Sequence, residues 1–367
     1  MKLVIFGLTV SSSWGNGHAT LWRALCRALG KRGHQVLFFE RNVPYYAAHR
    51  DLTDLPGGTL ILYPDWESVL PKARMELSDA DVGMITSYCP DGLQATDLLL
   101  ASSARSKVFY DLDTPVTLSL LRAGKPVAYL GPRRLEDFDL VLSYTGGVAL
   151  ERLQSELGAR RVAPLYGSVD PASHFPVAPV ESYRADLSYL GTYAEDRQAA
   201  VEQFLIKPAR HLPDKKFVIG GAQYPEDFPW TRNIFFVRHL PPSEHPAFYC
   251  SSRLTLNVTR QAMAEMGFCP SGRLFEAAAC GVPILSDWWQ GLDEFFAPGR
   301  QILLAHTTQD ALNALECSDA QLAAMAAEAR ERTMVEHTAD RRAADLEQVV
   351  EQLWHQPDKG EILAGAQ

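Results

Sequence analysis

A chain of 367 residues exceeds one ordinary domain and suits two, and a hydrophobic content of 47% supplies sizeable cores. The net charge of −9 argues against a nucleic-acid partner gripped through its phosphates, while leaving room for a local basic cleft. The six cysteines, Cys26, Cys89, Cys250, Cys269, Cys280 and Cys317, form no C-x-x-C pair. They read as reduced thiols of a cytoplasmic protein, not as a zinc site or a disulfide framework.

The apolar opening is expected to be a strand, Leu3 to Phe6, and not a signal peptide, because a glycine loop and an amphipathic helix follow it at once. No apolar run is long enough to span a bilayer, which leaves a peripheral membrane contact open. After the loop Ser11 to Thr20, the spacing of Leu21, Trp22, Leu25, Cys26 and Leu29 predicts a helix that Gly30 and Gly33 close. Strands are predicted at His34 to Phe39, Thr59 to Leu62, Asp81 to Ser87, Lys107 to Leu112, Phe138 to Ser143 and Val162 to Leu165. Helices at Ser68 to Asp79, Gly92 to Ser103 and Gly147 to Leu157 lie between them. The proline-punctuated residues 171–186 read as a linker between a first domain, 1–170, and a second, 187–340. A second strand–helix series then begins: Leu187 to Leu190, helix Asp196 to Ile206, Lys216 to Ile219, Ile234 to Val237 and Arg253 to Asn257. Ser318 to His355 reads as two helices, with 341–356 returning to the first domain, and Gln356 to Gln367 as a frayed tail. The fold class is α/β, two parallel, doubly wound domains, whose ligands gather at the carboxyl ends of strands.

Four stretches carry candidate chemistry. Ser271 reads as the N-cap of a helix that runs from Leu274 to Cys280 and is stopped by Gly281 and Pro283. At its start the amides of Ser271 and Gly272 suit an anion, Arg273 adds a planar fork, and Glu276 lies one turn on, placed for ribose hydroxyls. An ordinary buried helix with a surface Arg–Glu pair fits the same letters. In the first loop Gly15 and Gly17 permit close approach of a ligand, and His18 at the helix start suits a general base, a donor to an anion or a cap of its own loop. Thr20 stands where a dinucleotide fingerprint needs a third glycine, and Glu40 is the acidic residue beyond the second strand. Asp111-Leu112-Asp113 matches the D-x-D of metal-dependent sugar transferases; a turn that caps the next helix is the preferred reading for Asp111, with Asp113 left open. Gly191, Thr192 and Tyr193 with Arg197 repeat the strand–loop–helix theme, their amides suited to a phosphate, and Arg260 in Asn257-Val258-Thr259-Arg260 is a further phosphate candidate. Trp288 and Trp289 suit either stacking or core packing.

Pro270 to Pro283, taken with Asn257 to Arg260, Gly291 to Gly299, Tyr189 to Tyr193 and Ser12 to Thr20, resembles the GT-B glycosyltransferases, in particular the CgeB-like, spore-maturation type. The resemblance implies two Rossmann-like domains facing across a cleft, with a nucleotide diphosphate-sugar donor held mainly by the second. It assigns Glu276 to the ribose and Ser271, Gly272 and Arg273 to the phosphates, and implies no bound metal and no cofactor. Many retaining members carry a glutamate eight positions before the ribose glutamate; Phe268 stands there, with Glu265 the nearest acid, so retention does not carry over. His18 would suit an inverting base, with Asp113 the second catalytic candidate. The expected activity is metal-independent glycosyl transfer to an acceptor hydroxyl on a polysaccharide, lipid, protein or small molecule. The alternatives are a nucleotide-sugar epimerase or hydrolase and a non-catalytic nucleotide-binding protein.

Overall fold

The structure, a computed structural model, describes residues 1–355. It forms two compact units: Met1–Tyr166 with the chain from Ala339 onward, and Gly167–Thr338.

The first unit is built on seven parallel strands, β1 (Lys2–Gly7), β2 (Gln35–Arg41), β3 (Thr59–Tyr63), β4 (Val82–Thr86), β5 (Ser106–Asp111), β6 (Leu140–Ser143) and β7 (Val162–Pro164), in the order β3-β2-β1-β4-β5-β6-β7. β1, β4 and β6 read as nearly unbroken apolar runs because helices cover both faces of a parallel sheet. The strand order reverses between β1 and β4, which opens a crevice at their carboxyl ends. Helix His18–Lys31 buries Leu21, Trp22, Leu25 and Leu29 on this sheet, and helix Ala339–His355 adds Ala343, Leu346, Val349 and Val350 to the same core. Glu347 fixes that last helix by accepting from Arg32 and His34, and Trp354 Nε1 donates to Ser106 Oγ at 2.7 Å.

The second unit has six parallel strands, β8 (Leu187–Leu190), β9 (Phe217–Gly221), β10 (Ile234–Arg238), β11 (Thr255–Asn257), β12 (Ile284–Asp287) and β13 (Leu303–Ala305), in the order β10-β9-β8-β11-β12-β13. The reversal here lies between β8 and β11. Helix Gly272–Ala279 buries six of its residues and packs against helix Asp319–Glu336, and Arg330 Nε caps its C-terminal end on the Ala279 carbonyl at 3.1 Å.

Three expectations change. Residues 171–186 belong to the second unit and do not lie between the two, because the chain enters that unit at Gly167 and Val169 bridges to Thr338. The helix expected to stop at Ile206 runs from Glu195 to His211: a wide π-turn at Glu202–Ile206 absorbs the amide that Pro208 lacks. The expected tail Gln356 to Gln367 lies outside the described residues.

Candidate functional site

In the first unit the loop after β1 is organised by Glu40. Its carboxylate, 1% exposed, accepts from the amides of Val10 and Ser11 at 2.7 and 2.9 Å and from the hydroxyls of Thr9 and Ser11. Glu40 is therefore spent on its own loop and does not reach toward a ribose. Gly15 takes φ +60°, and Asn16 Oδ1 accepts from the His18 amide at 3.1 Å, so Asn16 caps the helix whose first residue is His18. A side chain at Gly17 would meet open space.

The His18 imidazole lies against Asp113, with Nε2 3.8 Å from Oδ2. Tyr88 donates its hydroxyl to the same oxygen at 2.9 Å from a backbone held at φ +65°, a conformation that costs a tyrosine energy and that its neighbours must hold in place. Behind them Asp111 Oδ1 accepts from the Asp113 amide and from Thr117 Oγ1, both at 3.1 Å. Burial pushes the Asp111 carboxyl up to about 6. The two aspartates therefore differ: Asp111 builds the turn, while Asp113 meets His18. A histidine beside a carboxylate that can steer its ring has the parts of a general base.

In the second unit Gly191 follows β8. A methyl group there would come within 2.7 Å of the Tyr189 hydroxyl and 2.8 Å of Arg273 Nη1, and a side chain at Gly221 would strike the Gly191 carbonyl at 2.0 Å. The amides expected to meet a phosphate are partly engaged: Gly191 N donates to the Gly220 carbonyl and Tyr193 N to that of Ala222, both at 2.9 Å. Thr192 accepts from Arg197 Nη1 at 3.2 Å through its carbonyl.

Arg273 is held by the scaffold. Its Nε donates to Ser271 Oγ at 3.0 Å, Nη1 to the Leu190 carbonyl at 2.8 Å and Nη2 to the Val258 carbonyl at 3.0 Å. One guanidinium thus ties the ends of β8 and β11 to the start of helix Gly272–Ala279. Ser271 occupies the N-cap position, but its hydroxyl serves Arg273 and caps no amide of the helix. Arg260 Nε pairs with Asp196 at 3.0 Å. The Arg197 Nε is buried without a hydrogen-bond partner. Burial, then the charges of Arg273 and Arg260, pull the Arg197 guanidinium below its ordinary pKa.

Glu276, 8% exposed, lies one turn into the same helix. Tyr249 donates to its Oε2 at 3.4 Å; His245 Nδ1 stands 3.9 Å from Oε2 and His174 Nε2 4.0 Å from Oε1. Burial lowers both histidines to about 4, so both rings are neutral near pH 7. Sequence reasoning missed these two histidines. His174 fell in the supposed linker, and His245 opens a short helix with no periodic signal. Trp289 is core at 2% exposure, whereas Trp288 is 41% exposed. Phe268 takes φ +46°, its amide donating to the Gln290 carbonyl at 2.7 Å and its ring lying where a Gly291 side chain would be. Among the described residues no helix is long and apolar enough to cross a membrane.

Residues 197–348 match a family described as "Glycosyl transferase-like". No curated protein matches the chain. Among solved structures it is similar to sucrose-phosphate synthase from Thermosynechococcus elongatus, at 14% identity and TM-score 0.70 over 97% of this chain and 99% of that one. It is similar also to HepE of Anabaena in complex with UDP and glucose, at 13% identity and TM-score 0.64 over 95% and 99%. An alpha-glucosyltransferase in complex with UDP-glucose and DNA containing an abasic site matches at 13% identity and TM-score 0.67 over 96% and 99%. At these identities the likeness is one of fold. The strand orders, the two reversal points and these matches agree: the chain has the GT-B glycosyltransferase fold, with two Rossmann-like α/β domains, and residues 197–348 match the glycosyl transferase-like family.

Proposed function

We propose that the protein transfers a glycosyl group from a nucleoside diphosphate-sugar to an acceptor hydroxyl. The observation that carries this reading is the arginine cluster at the β8/β11 reversal point. Arg197 is repelled there by Arg273 and Arg260, and Asp196 is the one carboxylate hydrogen-bonded to any of the three among the described residues. Arg197, held below its ordinary pKa there, gains from the arrival of an anion, and a diphosphate supplies two charged groups for such donors. The free Nε of Arg197 and the half-exposed Arg260 are the donors, with the amides at Ser271 and Gly272 beside them. Their charge stabilises the departing diphosphate, the work that a phosphate-bridging metal does elsewhere. Glu276 is the carboxylate for the ribose, and Gly191, Thr192 and Tyr193 form the wall along which the donor lies.

In the other unit the acceptor-side candidates are His18 and Asp113, 3.8 Å apart, beside the open loop at Gly15 and Gly17. In such a transfer the bond from the acceptor oxygen to the anomeric carbon forms as the bond to the diphosphate breaks, and His18 has the chemistry to take the hydroxyl's proton. With Phe268 where a second glutamate would stand, this base supports inversion. The resemblance to the CgeB-like type supports the same reading, and the reduced cysteines suit a cytoplasmic location. Because the structural relatives HepE and the alpha-glucosyltransferase are complexes with UDP or UDP-glucose, UDP-sugars are the first donors to test.

The experiment is a calorimetric titration with UDP, GDP, ADP and dTDP, followed by assay of nucleoside diphosphate release from the matching sugars with and without hydroxyl acceptors. One diphosphate should bind, Arg197→Met should weaken it at least tenfold, and release should depend on acceptor. Acceptor-independent turnover would point to a hydrolase or epimerase. Failure of all four diphosphates to bind at millimolar concentration would defeat the proposal.

A further inference from the structure

We infer that His174, His245 and Glu276 form a binding site for one divalent transition-metal cation of the zinc class. Three parts of the second unit converge there: the segment after Gly167, the helix that follows β10, and the helix Gly272–Ala279. One ligand atom from each residue, two imidazole nitrogens and a carboxylate oxygen, lies within 4.8 Å of the others.

Three buried ring nitrogens there, His245 Nδ1 and both nitrogens of His174, make no hydrogen bond within the described residues. His245 Nδ1 faces Glu276 Oε2 at 3.9 Å, and the Leu240 backbone borders the same ring. His174 is 4% exposed, and neither of its ring nitrogens has a hydrogen-bond partner. A buried polar ring left in that state is costly, and a cation on Nε2 would satisfy one of its two nitrogens. The separations of 3.9 and 4.0 Å are too long for direct hydrogen bonds. A tetrahedron drawn with bonds of about 2.1 Å has an edge of about 3.4 Å, and the three ligand atoms lie within 4.8 Å of one another, so the side chains would have to rotate inward to close on a cation. Two imidazoles and one carboxylate suit zinc, cobalt or nickel better than magnesium or calcium, and they leave a fourth position open.

This site lies on the carboxylate and not among the arginines, so it differs from a metal bridging the donor phosphates. Glu276 is also the proposed ribose ligand. The test is therefore run without nucleotide, and its outcome does not depend on the donor reading. The full chain, stripped with chelator, is titrated with zinc chloride by calorimetry and with cobalt chloride by visible absorption. We expect one equivalent to bind, raising the melting temperature, with cobalt d–d bands of a four- or five-coordinate nitrogen–oxygen site and no thiolate charge-transfer band. His174→Ala should weaken binding at least tenfold, and His245→Gln should do the same while circular dichroism shows both variants folded. No stoichiometric binding, a thiolate band from the cysteines, or undiminished binding in both folded variants would overturn the inference.

Discussion

Replacing Arg273 by lysine separates two roles that one sequence motif allowed. As a phosphate fork, Arg273 would be dispensable to the fold and decisive for the donor. In the structure its three hydrogen bonds run to Ser271 Oγ and to the carbonyls of Leu190 and Val258 at 2.8–3.0 Å. A lysine carries the charge but can reach only one of these acceptors at good geometry. Two buried acceptors then lose their partner at about 1–3 kcal/mol each, so Arg273→Lys should destabilise the second unit by about 2–6 kcal/mol. For a unit of this size that is a fall of about 10 °C in melting temperature. Arg260→Met is the control: Arg260 is part-exposed and, among the described residues, paired with Asp196, so its loss should change stability by less than about 1 kcal/mol while weakening UDP binding. Thermal melts and UDP calorimetry on both variants read the contrast. An Arg273→Lys protein that melts like the wild type yet loses UDP affinity would refute the scaffold assignment and restore Arg273 as a ligand.

Three more outcomes follow from the same reasoning. Gly191→Ala places a methyl group 2.7 Å from the Tyr189 hydroxyl and 2.8 Å from Arg273 Nη1, and should cost about 1–3 kcal/mol in a chemical denaturation curve; a neutral result would mean that this turn yields freely. Asp111, raised by burial from 3.8 to about 6, binds its proton more tightly folded than unfolded, so its contribution is complete below about pH 4 and is lost as pH rises through 6. Asp111→Asn should therefore gain on the wild type by up to roughly 3 kcal/mol between pH 4 and pH 7.5 in urea titrations, and a difference that does not vary with pH would contradict this. Glu347 is displaced the other way, from 4.5 to about 2, chiefly by the Arg32 hydrogen bond. Its stabilisation is present above about pH 4.5 and fades as pH falls toward 2, so Glu347→Gln should cost about 1 kcal/mol at pH 7, since the pair lies near water, and progressively less in acid melts.

Much of the fold was legible because parallel strands buried on both faces announce themselves: Leu3 to Phe6 and Leu187 to Leu190 have no other sensible use. Glycine and proline marked the end of helix Gly272–Ala279 for the same reason. What stayed hidden was non-local. Nothing near Arg273 reveals that Leu190 and Val258, far off in sequence, point their carbonyls at it. Nothing near Glu40 reveals that it closes the loop at Val10 and Ser11. Prolines 171, 176 and 179 suggested a tether, and so concealed His174, which tertiary packing buries beside Glu276. Pro208 likewise suggested a break where the helix widens and continues.

The return of helix Ala339–His355 to the first unit makes that unit discontinuous, with the whole of Gly167–Thr338 inserted before its last piece. During synthesis the inserted unit is complete before that helix emerges. Until then Leu21, Leu25 and their neighbours lack the cover that Leu346 and Val350 provide, and they are exposed to mispairing. Order of assembly is thus written into the chain: the second unit can close on the ribosome, whereas the first must wait for its final seventeen-residue helix.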